Sequence, residues 1–474
     1  MLEKLFPQWA LSRAKARAQL SVLTEATMDY DAARRSRRTA GFRYGDKGPS
    51  GEVMSARDRL RAASRDMVRN HPIAVRVPQV IAQNVVGAGI IPHAIPTSGR
   101  DSAKKTTKAR VEAALKDHFD TPECDAEGRL DLYGLQFLAK TAVVRDGECF
   151  VLRVDAPDSP TPFRWRLRVL EADYLDTTKR SVGADERIIN GIEYDAQNRP
   201  IAYWLYDEHP RDVTRIQRLT STRYSASRVC HLFRIDRPGQ CNGVSWLAPV
   251  LIKIGDVTDL SDARAYREKV AGCFSAFIHS NDDAAEGLGG ASKSDKSHFN
   301  YPLEGLEPGT ITHLRNGDSV TFGSPPQVEG YSEFWRAQAL EIAMGVGLSY
   351  PTLTGDMSQG NFAMGRMGWL EDQRAFDSWR SSVMMSQFLW RVGSWIKVGI
   401  STRDTFDIGW TAPAREMIDP SKDTRAALEA IKGNIKSRDQ VIRSLGRDPE
   451  DVDAEILEAR ARLPEEQTKD PLNG

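Results

Sequence analysis

The sequence has little cysteine. Five residues in 474 (Cys124, Cys149, Cys230, Cys241 and Cys273) stand far apart, with no CxxC pair. An odd, scattered set excludes a disulfide framework and a zinc knuckle, and fits a reducing compartment. Net charge is also missing, since 65 Lys and Arg balance 65 Asp and Glu. That argues against a general basic coat for nucleic acid. No stretch of about 18 apolar residues occurs, so no membrane span is expected. Met1 to Leu20 is amphipathic but interrupted by Arg13, Lys15 and Arg17, which does not fit a signal peptide.

Catalytic signatures are absent as well. There is no GxxxxGK[ST] phosphate cradle, no GxSxG elbow and no HExxH pair. The eight histidines are scattered without metal-ligand spacing. Cys230 and His231 are neighbours on an expected strand, so they point to opposite faces and cannot act as nucleophile and base. One is expected to be buried and the other exposed. Acidic pairs such as Asp282-Asp283 lie in a glycine-rich stretch, a poor scaffold for a metal. No catalytic residue, cofactor site or metal site is expected.

What is present is a chain long enough for two or three domains, 40% apolar and 27% charged, able to bury a core without disulfides. Residues 1–54 read as an arm, with a basic cluster at Arg34, Arg35, Arg37 and Arg38 and a glycine-rich run after it. It is either a solvated arm or one that meets a neighbouring subunit or nucleic acid. Residues 55–86 predict helix, capped by Ser55 and broken at Arg69-Asn70-His71-Pro72, with a second helix up to Gly87. A further helix is expected over 104–118. From about 140 to 235 the period becomes two, with strands at Cys149–Val154, Trp165–Leu170, Ile188–Tyr194, Ile201–Tyr206 and Val229–Phe233. The turn formers Asp195 to Pro200 join two of them as a hairpin.

Helix is expected again over 246–279, with Pro249 in its opening turns or splitting a short helix from a longer one; Asp256 to His279 would span roughly 36 Å. Residues 281–300 read as a loop, and 301–328 as a small β unit (Thr310 to Leu314, Ser319 to Phe322). A helix follows from Tyr331 to about Gly347. Thr354 to Gly365 reads as a loop, and Arg366 to Val398 as a long helix with Trp369, Phe376, Val383 and Trp390 every seven residues, for core packing or a partner surface. Near the C-terminus Ser421 is expected to cap a helix (Lys422 to Ile435), Ser437 a second (Arg438 to Leu445), and Asp448-Pro449-Glu450 to open a third.

Four segments carry a resemblance: LRAASRDMVRNHPIAVRVPQVIAQNVVGAGI from Leu60, VCHLFRIDRPGQCNGVSWLAPV from Val229, YSEFWRAQALEIAMGVGLSYPTLTG from Tyr331 with DMSQGNFAMGRMGWLEDQRAFDSWR after it, and IDPSKDTRAALEAIKGNIKSRDQVIRSLG from Ile418. Their order and spacing, with MDYDAARRSRRTAGF early in the chain, resemble the lambda family of phage portal proteins over about residues 28–460. RPGQxxGVSWLAP is the most specific part.

The resemblance implies an α+β, mainly helical portal fold, a ring-forming subunit with wing, stem, clip and crown. It implies an N-terminal arm at 1–54, a wing at 55–245, a first stem helix at 246–279 and a clip at 280–330. A second stem helix would follow at 331–350, a tunnel loop and long wing helix at 351–400, and a crown with C-terminal tail at 401–474. It implies a homo-oligomer, a dodecamer, at one capsid vertex of the virion, assembled in the host cytoplasm. Double-stranded DNA would occupy its channel. Terminase large subunit, head-tail connector or adaptor proteins, and major capsid and scaffolding proteins would be its partners, and no membrane. Asn361, Phe362, Met364 and Arg366 are the candidates for tunnel-loop contacts with DNA or neighbouring loops, with Gly360 and Gly365 letting the loop move; the alternative is a passive surface turn. Other functions to weigh are a different phage head or neck protein, a phage nuclease or protease, and a DNA-binding regulator.

Overall fold

The computed structural model describes residues 47–182, 187–212, 219–273, 277–280, 318–321, 330–358, 362–400, 405–415 and 419–462, with a few isolated positions before residue 47. The chain divides into two units, Met1–Glu52 and Val53–Gly474. Among the described residues, the second unit holds every sheet and both hydrophobic cores.

Helix α1 (Pro49–Asn70) starts earlier than the sequence predicts, which places Ser55 in its interior. It ends where expected, because Pro72 holds His71 extended, and α2 (Pro72–Val85) opens on that proline. Strand β1 (Ile91–Pro96) and helix α3 (Asp101–Phe119) follow. Helix α4 (Leu132–Asp146) is not among the helices that the sequence predicts. Leu132, Leu135, Ala139, Ala142, Val143 and Val144 are all buried around its circumference, so its sequence shows no single apolar stripe.

Strands β2 (Glu148–Asp155), β3 (Trp165–Glu171) and β9 (Val229–Phe233) form an antiparallel sheet in the order β3-β2-β9. A second sheet is a five-stranded meander: β4 (Ser181–Val182), β5 (Arg187–Ile189), β6 (Ile192–Tyr194), β7 (Pro200–Tyr206) and β8 (Ser221–Ser225). The expected single strand Ile188–Tyr194 is two strands, because Asn190 (φ 50°) and Gly191 (φ 77°) turn the chain between Ile189 and Ile192. Two successive positive φ values suit an Asn-Gly hairpin turn. The predicted β6–β7 hairpin is present, with Asn198 at φ 60°.

Strand β2 is covered on both faces. Cys149 and Val151 face a large core shared with α2 and α4, whereas Phe150 and Leu152 face a smaller core beneath Ile192, Tyr203 and Leu205 of the second sheet. The alternation of a strand therefore divides two cores. Cys230 and His231 obey the same rule, opposite Val151 and Phe150. Neither is exposed as expected: Cys230 is buried and the His231 side chain is only 6% accessible.

Helix α5 covers Leu251–Cys273, shorter than expected at both ends. Trp246 to Val250 is a tight turn, and Phe277–Ser280 is not helix but strand β10, paired antiparallel with β11 (Asp318–Thr321). The expected strand Thr310 to Leu314 lies outside the described residues, as does the loop 281–300. Helix α6 (Tyr331–Val346) ends on Gly347 as predicted, and a short helix α7 (Tyr350–Thr354) precedes the long one. The long helix consists of α8 (Phe362–Trp379), a π-helical stretch Arg380–Leu389, and α9 (Trp390–Gly399). The wider i→i+5 turns of the π segment break the seven-residue register. Phe376 and Val383 are buried, but Trp390 is 67% exposed, while Phe388, Leu389 and Val392 point inward.

Strand β12 (Phe406–Thr411) returns to pair with β1. Helices α10 (Pro420–Lys432), α11 (Arg438–Ser444) and α12 (Pro449–Arg462) close the described chain. The cap of α10 is Asp419, not Ser421; its carboxylate accepts from the Lys422 amide. Ser437 caps α11 in a full capping box with Gln440.

Candidate functional site

The most specific sequence motif, Arg237 to Pro249, is a strap that leads from β9 into α5, held by hydrogen bonds within itself and to distant chain. Gln240 Oε1 accepts from the amides of Asp236 (2.9 Å) and Arg237 (3.2 Å), and Gln240 Nε2 donates to the carbonyls of Arg234 and Asn242. Asn242 donates to Glu148 (3.1 Å) and accepts from Asn190 in the β5–β6 turn (3.1 Å). The Gly243 amide also donates to Glu148 (3.1 Å). Ser245 Oγ meets Ser64 Oγ of α1 (2.9 Å) and accepts from the Leu247 amide, while the Trp246 amide donates to the Val144 carbonyl. A Cβ on Gly243 would lie 2.0 Å from the Gly147 carbonyl oxygen, and one on Gly147 (φ 96°) would lie 2.4 Å from the Val244 carbon. Two glycines are therefore needed where the strap crosses the end of α4.

Glu148 is the anchor of this strap. It is wholly buried, and besides Asn242 and Gly243 it meets His231 Nε2 at 2.9 Å and Arg57 Nε at 3.3 Å. Burial alone would push its carboxyl up. The Arg57 guanidinium, the His231 hydrogen bond and the Gly243 amide outweigh this and hold it at about 2. Arg57 belongs to a row on α1, Arg57, Arg61 and Arg65, that faces the protein and not the solvent. Arg61 reaches Asp173 (3.3 Å); Arg65 reaches Asp146 (2.8 Å), Glu171 (2.9 Å) and Asp173 (2.7 Å). Arg145 adds Asp146 and Glu171. Glu171, Asp173 and His209 lie close enough to hold a metal ion. Arg61, Arg65 and Arg211 already neutralise Asp173, however, so the donor set suits arginines better than a cation.

Helices α5 and α6 run antiparallel. Lys253 near the start of α5 pairs with Glu341 (2.6 Å), and Tyr331, the first residue of α6, donates to Ser261 midway along α5 (3.1 Å). A Cβ on Gly345 would meet Val250 Cγ1 at 2.4 Å, so the helices touch closely at their base. The turn after α6 is set by Asp372 of α8, which accepts from Ser349 N (2.9 Å), Ser349 Oγ (2.6 Å) and Thr352 Oγ1 (2.5 Å). Asp356 accepts from Tyr350 (2.9 Å) and pairs with Arg336 of α6 (3.2 Å); hydrogen bonds from Ser358 and Tyr350 hold its carboxyl at about 2.

The four candidate tunnel-loop residues do not share a loop. Asn361 lies outside the described residues, as does Gly360. Phe362, Met364 and Arg366, with Gly365, are on the opening turns of α8. Ala363, Met364, Arg366 and Met367 are good helix formers and outweigh the two glycines, Gly365 and Gly368. Arg366 is exposed and lies 3.9 Å from Asp423 of α10. Sequence reasoning misses the buried anchors Glu148, Arg57 and Arg61. Their signal is the i, i+4 row of arginines on α1, which reads equally well as a solvated face.

The chain matches the phage portal protein, lambda family, over residues 35–380. It is 26% identical over 416 residues to a probable portal protein of Halomonas phage phiHAP-1, covering 84% of this chain and 79% of that protein. It is 22% identical over 454 residues to portal protein B of Escherichia phage lambda, covering 85% and 84%. Among solved structures it is similar to a chain from the virion of a native gene transfer agent particle, with a TM-score of 0.49 and 15% identity, covering 82% of this chain and 94% of that one. The family match spans the arginine row, the strap with its Glu148 anchor, both paired helices and the whole of α8. The chain belongs to the lambda family of phage portal proteins and is a structural portal subunit.

Proposed function

We propose that copies of this chain close into a ring, a dodecamer, at one vertex of the virion head and leave a bore through which double-stranded DNA is packaged and ejected. The observation that carries this reading is the family match together with the antiparallel pair α5–α6, which flanks the small β10–β11 unit. In this reading α5 and α6 are the stem. The segment between them, with β10 and β11, is the clip, where the terminase large subunit docks during packaging and head-tail connector proteins dock afterwards. Residues 55–245 with the long helix make the wing, α10 to α12 the crown, and residues 1–54 an arm. Major capsid and scaffolding proteins are the partners around the wing. Assembly takes place in the host cytoplasm.

A conduit must pass a polyanion with a charge every ~1.7 Å of axis without trapping it. Zero net charge suits that task, and so do the exposed Asp256, Asp259 and Asp262 on α5, which offer DNA no continuous basic grip. Arg366 on the opening turns of α8, together with Asn361, Phe362 and Met364, is the proposed point of contact with DNA or a neighbouring subunit. No ATPase motif is present in the sequence, so the work of packaging comes from a separate motor.

The test is native mass spectrometry and electron microscopy of the purified full chain under assembly conditions. The expected result is a closed ring with a central hole, twelve copies, and α5–α6 pairs around the bore. A chain that stays monomeric, or a ring whose bore is lined by other elements, would refute the assignment.

A further inference from the structure

Lys140 sits in the middle of α4 with no accessible surface, and among the described residues no hydrogen-bond acceptor reaches its ammonium nitrogen. Its surroundings are aromatic. Nζ lies 4.2 Å from the ring centre of Trp246 in the strap and 6.0 Å from that of Trp379, the last residue of α8 before the π segment. The two indoles meet edge to face at 4.9 Å. Arg234 covers Trp246 at 4.6 Å, so this ring is flanked by two cations. The amine thus lies where three elements converge: α4, the strap that opens α5, and the long helix.

A lysine is a poor choice for this position if packing is all that is required. A methionine would fill similar space without an ionisable end. Cation–π contact offsets only part of the cost of removing an ammonium from water. Two charged groups of the long helix that carries Trp379 are committed elsewhere. Asp372 binds Ser349 and Thr352, and Arg380 binds the carbonyls of Val85 and Asn84 and the Asp377 carboxylate. Arg234 is the charged group whose field reaches the amine, and its sign is the same.

We propose that Lys140 is a proton-operated spring in the joint between α4, the strap and the long helix: the joint closes on the neutral amine and is driven open by the charged one. Burial, with a further contribution from Arg234, pushes the lysine down to about 7. In an opened joint it returns to the ordinary lysine value near 10.4. The opened state therefore binds the proton more tightly. The opening constant rises about tenfold for each unit that pH falls from roughly 10 to 7, about a thousandfold in all, and is constant below 7. The joint therefore opens more readily at pH 7 than at pH 10, which would let the strap and α5 shift against α4 without unfolding either.

The test is amide hydrogen exchange by quench-flow on the full chain, comparing wild type with Lys140→Met at matched pH. At pH 7 the variant should exchange at least tenfold more slowly over 132–146, 244–257 and 376–390, with no change in β7 and β8. The ratio should fall toward one as pH approaches 10. Arg234→Gln keeps the lysine but removes the repulsion, so its slowing at pH 7 should be smaller and should fade at a lower pH, soon above 7, than that of Lys140→Met. Equal exchange at pH 7, faster exchange in Lys140→Met, or a ratio that ignores pH would overturn the proposal. If Lys140→Met does not fold, Arg234→Gln decides: a pH-independent ratio to wild type refutes it.

Discussion

Replacing Glu148 by glutamine keeps the shape of the strap's anchor and removes its charge. Arg57, 5% exposed, would then lie buried 3.3 Å from a neutral oxygen. Breaking a buried ion pair from one side costs about 3–5 kcal/mol, since the remaining charge loses its buried partner and keeps only the exposed Asp58 at 3.7 Å. Linkage to protonation gives the same magnitude. The carboxyl is held at about 2 in the folded chain against about 4.3 in an unfolded one, roughly 3 kcal/mol at 1.36 kcal/mol per unit. Because the folded value is depressed, that stability is fully present above pH 4.3 and is lost as pH falls through 2. The assay is guanidinium denaturation of wild type and Glu148→Gln at pH 7 and pH 3. At pH 7 the variant should be less stable by about 3 kcal/mol or more, and the gap should narrow by roughly 2 kcal/mol at pH 3. A gap under about 1 kcal/mol at pH 7, or one that does not change with pH, would refute the view that Glu148 anchors the strap by charge.

Gly243→Ala should lower the denaturation midpoint more than Gly239→Ala in the same strap, because its Cβ meets backbone that cannot move aside. Asp372→Ala should cost about 2 kcal/mol or more by leaving Ser349 and Thr352 without their acceptor, read by thermal melting and by faster proteolysis after α6. Trp390→Ala should leave stability within about 0.5 kcal/mol despite removing an indole, since that side chain is largely in solvent. Arg366→Glu should leave the melting temperature and ring formation intact while changing the amount of DNA packaged in a reconstituted reaction; unchanged packaging would remove Arg366 from the proposed contact.

Local signals are enough for elements whose neighbours merely agree with them. Pro72 ends α1 in any context, Gly347 terminates α6, and Ser437 with Gln440 carries its own cap. The Asn190-Gly191 turn is equally local, but the flanking apolar residues mask it by suggesting one continuous strand. Helix α4 is hidden for a different reason. Periodicity reports a difference between faces, and a helix buried all round has none.

The RPGQxxGVSWLAP motif can be recognised from the sequence, but its reason cannot. It is specific because Gln240 folds the strap onto itself, while Asn242, Gly243 and Ser245 meet partners fixed by distant chain: Glu148, Asn190, Gly147 and Ser64. The same holds for the charges. Arg57, Arg61 and Arg65 look like a solvated face, and Lys140 like any helical lysine. Sequence alone determined the family, the mainly helical α+β class, the absence of catalytic motifs and most element boundaries set by proline, glycine and caps, since these depend on residues within a few positions of one another. Tertiary structure decided which charges are buried, where the long helix slips into π register, and that the start of α8 is helix and not loop. Those outcomes depend on what packs against each side chain, and burial is a property of the folded neighbourhood that no short stretch of chain contains.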